Sequence, residues 1–359
     1  MRSAAGELAG RTIANRPVAI GVALLLGLEG LLAVLALFMP IEPLLRGWLV
    51  ALAIWSLVPI GSMILLLIHC LTGGEWGQAA APILKPAAAL TPLVALAFVP
   101  VLVGLRHIYP WAADPSAIPS DVARWYLNGA SFSIRALIAL GGWSVLAILF
   151  AAGWGSALLA GLGLTFFGLT ISLVAVDWYL SLEPHYAATA FAATIAVQQL
   201  LAALAVTALI GAPMIDGRVA GDIGGLLIAT LLGLVYLELM TFIISWYGDL
   251  PQNAAWYLKR SGPGWLTVLI TATLLGAVLP FAMLLVTAIR RSRRGLRVVG
   301  ALIVFGSTLH VAWLLVPPFD AQAGVVAVAC ATVAALALIS LLIGTAVGPA
   351  LEMGVRHAE

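Results

Sequence analysis

Ten long apolar runs separated by short polar loops dominate this chain of 359 residues, and they restrict it to one environment. The runs cover 18–39, 48–71, 83–105, 131–151, 156–176, 187–209, 224–246, 265–289, 298–316 and 324–347. A helix rises ~1.5 Å per residue and a bilayer core is ~30 Å thick, so each run is long enough to cross. Charged residues make up 9% of the chain, against about 25% in soluble domains. Ten apolar helices cannot all be buried around one soluble core in a chain of this length. The expectation is an all-α integral membrane protein of about ten transmembrane helices, with 1–359 forming a single polytopic domain.

Basic residues predict its orientation. An even number of spans leaves both termini on one side, with Arg2, Arg11, Arg16, Lys85, Arg218, Arg356 and the run Arg290, Arg291, Arg293, Arg294 and Arg297. The opposite side holds fewer, Arg46, Arg106, Arg124, Lys259 and Arg260, while Arg135 falls inside a span. The positive-inside rule therefore predicts cytoplasmic termini. The run from Arg290 to Arg297 reads as the topological anchor, with a lipid-headgroup site as the competing reading. The first run is too long for a signal-peptide core and lacks a small-residue cleavage pattern after Phe38, so it is expected to remain as a span. Cys70 and Cys330, far apart and without CxxC spacing, read as packing residues. Nothing in the loops resembles a nucleic-acid surface.

The unusual chemistry gathers in three predicted outer loops. They carry Arg106-His-Ile-Tyr-Pro-Trp111 with Arg124-Trp-Tyr-Leu-Asn128, then Asp177-Trp-Tyr-Leu-Ser-Leu-Glu-Pro-His-Tyr186, then Ser245-Trp-Tyr-Gly-Asp-Leu-Pro251 with Ala255-Trp-Tyr-Leu-Lys-Arg260. Ala123-Arg-Trp-Tyr-Leu-Asn128 before span 4 echoes Ala254-Ala-Trp-Tyr-Leu-Lys259 before span 8. The echo suggests tandem units, 48–176 and 187–316, of four helices each (spans 2–5 and 6–9) with spans 1 and 10 flanking. Interfacial enrichment of Trp and Tyr offers chance as the alternative.

Intramembrane carboxylates are costly and often mark proton paths. Glu29 lies ~16 Å along span 1, and Glu238 ~12 Å before the outer end of span 7. Each reads either as a proton-path residue or as a protonated acid hydrogen-bonded to a neighbouring helix. Arg135, one turn into span 4, needs an anionic partner, and Asp177 or Glu183 is at the right depth. That pairing is either functional or a strut ordering the outer loops. Among the histidines, His185 carries the functional weight because it sits with Asp177 and Glu183, and His can move protons near neutral pH. The outer cluster is thus Asp177, Glu183, His185 and Arg135. His69 and His310 lie near opposite membrane faces and cannot share a haem iron. No nucleotide loop, hydrolase elbow or zinc motif is present, so no catalytic set, metal site or cofactor is expected in this chain.

The Asp177–Tyr186 stretch resembles the Asp-Trp-x-x-Ser-Leu-Glu-Pro-His-aromatic segment of the ActF-type membrane subunit of alternative complex III, in the NrfD/PsrC-like family. Ser245–Pro251 with Trp256-Tyr257 is similar to that subunit's Trp-Tyr-x-x-Ile/Leu-Pro…Trp-Tyr segment. Arg106–Trp111 and Tyr126-Leu-Asn…Ile134-Arg135 resemble the corresponding region, so the similarity runs in order from about 100 to 260. The acid pair that follows the proline in that family is Gln252-Asn253 here, so no acid role carries over there.

The resemblance implies a ten-span subunit of a bacterial quinol:electron acceptor oxidoreductase in the cytoplasmic membrane, built of two four-helix bundles. It implies partners as well: a sister NrfD-like subunit, and an iron–sulfur protein and a multihaem cytochrome c on the outer face. Quinol is the implied substrate, while haem c and iron–sulfur clusters belong to the partners. In that family the best-supported quinol site usually lies on the sister subunit. Two readings compete, a proton-coupled secondary transporter with helices broken at Pro59, Pro92 and Pro100, and a purely structural membrane anchor.

Overall fold

In the computed structural model, the described residues are 2–211 and 216–356, with side chains described over 19–211 and 216–345. The side chains of Arg2, Arg11, Arg16 and Arg356, used above for orientation, lie outside them. The protein is an all-α, multi-pass membrane protein, and no strand occurs among the described residues. Helix α1 is Arg2–Leu35, of which Ala19–Leu35 is the described apolar part. Among the described residues, nine helices follow that are long and apolar enough to cross. They are α2 (Ile41–Thr72), α3 (Glu75–Val103), α4 (Gly129–Ala151), α5 (Ala157–Leu182), α6 (Phe191–Gly211), α7 (Gly217–Tyr247), α8 (Pro263–Leu285), α9 (Arg293–Leu315) and α10 (Gln322–Thr345).

Most helices outrun the apolar windows that predicted them, because backbone hydrogen bonding continues past the membrane core until a cap ends it. Asn128 caps α4 through Ser131 N, Ser156 caps α5, and Asp216 accepts from the Arg218 and Val219 amides at the start of α7. Helix α8 instead stops short of its predicted end, at Leu285, because Val286 is extended (φ −81°, ψ 107°). The prolines behave unequally. Pro59 sits inside a continuous α2, whereas Pro92 and Pro100 begin separate segments of α3 (Thr91–Ala97 and Val99–Val103). Proline lacks an N–H, so carbonyls are released near each break, and in a membrane they need substitutes. Thr91 Oγ1 donates to Ala88 O at 2.7 Å, and Trp48 Nε1 donates to Ala97 O at 2.8 Å.

Helix α2 is the most enclosed span, packing against α3, α4, α5, α6 and α10. Helix α6 packs against α2 on one side and against α7 and α9 on the other, and α8 lies on α9. Helix α1 lies on α10. Close approach without a hydrophobic driving force requires small residues. At Gly61 of α2 a Cβ would land on the Gln199 carbonyl of α6, and Gly276 of α8 meets Gly306 of α9 backbone to backbone. The second contact sits where α8 widens into a π-helical turn, Leu274–Val278.

The loops after α1, α3, α5, α7 and α9 share one face, as an up-and-down chain requires. Arg46 Nε donates to His107 O, Tyr109 Oη donates to Trp178 O, and Arg260 bonds both Glu183 and the carbonyl of Leu314. Exposed Trp125, Trp246 and Tyr247 ring this face, and Trp154 marks the other, as amphipathic rings do at membrane interfaces.

Candidate functional site

The chemistry of the loop-rich face begins at the end of α5. There the helix widens into a π turn, Ala175–Tyr179, and tightens into a 3₁₀ turn, Leu180–Leu182. These two changes of pitch decide where each polar side chain points. Asp177 is buried and receives Arg135 in a two-pronged pair, Nε to Oδ2 at 2.7 Å and Nη2 to Oδ1 at 2.8 Å. Arg135 Nη2 also donates to Tyr126 O at 3.0 Å, and its guanidinium lies 3.9 Å from the Tyr126 ring centre. Burial, followed by the nearby Asp177 charge, pushes the Tyr126 phenol's pKa up to about 12. The charge is neutralised in place, with both carboxylate oxygens occupied.

Aromatic side chains surround this pair. Phe98 stacks on Trp178 at 4.3 Å, Tyr109 and Trp111 pack against Phe132, and Trp143 Nε1 donates to Thr170 Oγ1 at 2.9 Å. The gap between Phe98, Trp178 and Leu49 has a cavity volume of ≈ 0 Å³. With both Asp177 oxygens and the Arg135 guanidinium committed to protein partners, the Asp177–Arg135 pair reads as a strut.

Six residues beyond Asp177, Glu183 has different partners. It pairs with Arg260 Nη2 and, at 3.3 Å, with Lys259 Nζ. The side chain of Arg260 is 1% exposed; it donates to Trp256 O and Leu314 O and stacks 3.6 Å over the Trp256 ring. Burial draws its pKa down while the Glu183 carboxylate opposes the shift, and a guanidinium remains charged at neutral pH. Three of the four residues of the predicted cluster are therefore held in two ion-pair groups with separate partners. His185 is exposed, and with Glu183, Tyr186, Trp256 and Lys259 it lines a cleft of ≈ 370 Å³ on the loop-rich face.

A second cavity, ≈ 320 Å³, lies between α6, α7, α8 and α9. Its walls are apolar, including Leu201, Leu234, Leu269 and Ala277, and the close Gly276–Gly306 contact forms one side. Val235, Leu239 and Phe242 line it from α7, and each is partly exposed on the membrane-facing surface. The polar end gathers Gln198, Glu238, His310 and Tyr257. Gln198 and His310 Nδ1 are 3.1 Å apart, and His310 Nε2 lies 3.5 Å from Glu238 Oε1. With Nδ1 accepting from the Gln198 amide, the imidazole proton belongs on Nε2, facing the carboxylate. Gln198 Oε1 is buried without a partner, and turning the amide over would only leave its nitrogen in that position. An acid, an imidazole and an unmatched amide thus converge at one end of an apolar chamber between spans.

Of the residues predicted from sequence, Glu238 lies in this chamber, Glu183 and His185 in the cleft on the loop-rich face, and Asp177 with Arg135 in the packed strut. Glu29 sits on α1, against α10 and α3, and the structure does not bring it to Glu238. One oxygen of Glu29 is buried without a hydrogen bond. His69 bonds the Gly74 carbonyl at the opposite face from His310. Cys70 and Cys330 are free thiols. Among the described residues no three metal-ligating side chains converge. Sequence reasoning missed Gln198, His310, Tyr257 and Arg260 as site residues. The signal for the first was legible, since Gln198-Gln199 interrupts an otherwise apolar span. No family model and no curated protein matches this chain.

Proposed function

We propose that this chain is a membrane subunit of a bacterial quinol-oxidising respiratory complex of the alternative complex III type, with a quinol environment in its α6–α9 chamber. In this reading α2–α5 and α6–α9 are tandem four-helix units flanked by α1 and α10, and both termini are cytoplasmic. The loop-rich face then lies outside. There it docks an iron–sulfur protein and a multihaem cytochrome c, which take the electrons, while a sister subunit lies alongside in the membrane. The packing of α2 with α3–α5 and of α6 with α7 and α9 supports the tandem reading.

The observation that carries the reading is the chamber. It is reached from the membrane side of α7, is walled by apolar residues, and ends in Glu238, His310 and Gln198. A quinol ring fits such a site because its tail partitions into lipid while its hydroxyls need an acceptor for protons. A proton-coupled transporter moves a polar solute along a wet path, and apolar walls favour the hydrophobic ligand. Purification of the intact assembly from its native membrane through a tag on this chain tests the proposal. Recovery of a multihaem cytochrome and an iron–sulfur protein, with quinol-dependent cytochrome reduction, supports it. A stable chain recovered alone, without haem, contradicts it.

A further inference from the structure

We infer that the hydroxyls of Tyr257 and Tyr186 form the route by which protons leave the α6–α9 chamber for the outer cleft. The inference rests on the quinol reading above and names residues for its proton-release step. Two separate cavities are lined by these two neighbouring side chains, one each. Tyr257 lines the chamber that holds Glu238, and Tyr186 lines the outer cleft that holds Glu183, His185 and Lys259. The two rings meet edge to face at 6.4 Å between centres, which brings the two phenols into one neighbourhood. Trp256 fixes the pair, stacking on Tyr186 at 4.3 Å and meeting the Tyr257 ring edge-on at 4.9 Å. Arg260, laid over Trp256 and tied to Glu183, clamps the arrangement from the other side.

The steps balance. Oxidation of one quinol sends two electrons to an iron–sulfur or haem centre of a partner subunit and frees two protons from the ring hydroxyls. Each proton passes to the Glu238–His310 pair and then onto the Tyr257 oxygen as Tyr257 gives its own proton to Tyr186. Tyr186 in turn gives its proton to water or to a basic group in the outer cleft. Both hydroxyls end neutral and return by rotation. Burial holds both phenols above their usual pKa, which suits a relay that passes protons without storing charge.

The test uses the intact complex, with decylubiquinol or a short-chain menaquinol as donor and cytochrome reduction as readout. Tyr257→Phe and Tyr186→Phe keep the rings and their stacking and remove only the hydroxyls. Each is expected to slow turnover roughly tenfold with KM nearly unchanged, and to enlarge the rate ratio between H₂O and D₂O. The double variant should be no slower than either single, because the two hydroxyls act in series. Wild-type rates and isotope ratios in both Phe variants, beside a slowed Glu238→Gln, overturn the relay and leave the chamber reading standing. Wild-type rates in Glu238→Gln and in the mouth-blocking Val235→Trp as well overturn both.

Discussion

Replacing Asp177 with Asn probes what the Arg135 pair does. The carboxylate side chain is 2% exposed and that of Arg135 15%, so solvent screens the pair little. Asn keeps the shape and one acceptor oxygen but removes the charge and one of the two charge-assisted bonds. Removing one partner of a buried pair generally costs about 3–5 kcal/mol, because the other charge is left uncompensated. Asn still accepts one guanidinium N–H, and Tyr126 still offers its carbonyl and ring face, so the expected loss is near the lower end, about 3 kcal/mol. Reversible unfolding in mixed detergent micelles measures it. Arg135→Met/Asp177→Asn, which removes both charges, should recover a large part of the loss. Asp177→Asn should leave the chamber ligand bound, since the strut lies outside the α6–α9 chamber. An unchanged unfolding free energy in Asp177→Asn, or a double variant as unstable as the sum of the singles, refutes the strut assignment.

Glu238→Gln keeps shape and hydrogen bonding but cannot exchange a proton, so quinol turnover should fall roughly a hundredfold or more with assembly intact. Glu238→Leu should in addition weaken assembly by leaving His310 without its acidic neighbour. A silent Gln beside a defective Leu makes Glu238 a hydrogen-bonding strut. Reporters fused after Arg297 and within 177–186 should read cytoplasmic and extracytoplasmic respectively, and reversal of both detaches the outer cleft from any outer redox partner.

The spans were legible because twenty-residue apolar runs have few physical alternatives in a chain so poor in charge. Their ends were less so. Caps such as Asn128 and Asp216 extend helices beyond the hydrophobic window, and one extended residue, Val286, cuts α8 short. The pairing of Arg135 was legible as a need for an anion, but not as a choice between Asp177 and Glu183. That choice depends on a π turn followed by a 3₁₀ turn, which rotate the two carboxylates toward different partners. His185 looked central from its neighbours in sequence, yet the same turns leave it exposed. His310 looked peripheral, yet the packing of α6 on α9 sets it between Gln198 and Glu238. The chamber itself depends on α8 meeting α9 at Gly276 and Gly306, a tertiary contact that no local pattern announces.

The central claim, that the α6–α9 chamber holds a quinol ring, is tested most directly by extracting and quantifying the quinone that copurifies with the intact complex. Val235 is 45% exposed on the membrane face of α7 and lines the chamber, so Val235→Trp should block the entrance without disturbing the core. The account predicts that quinone per complex falls in Val235→Trp relative to wild type and stays at the wild-type level in Asp177→Asn. Equal quinone in the wild type and in Val235→Trp, with both assembled, contradicts it.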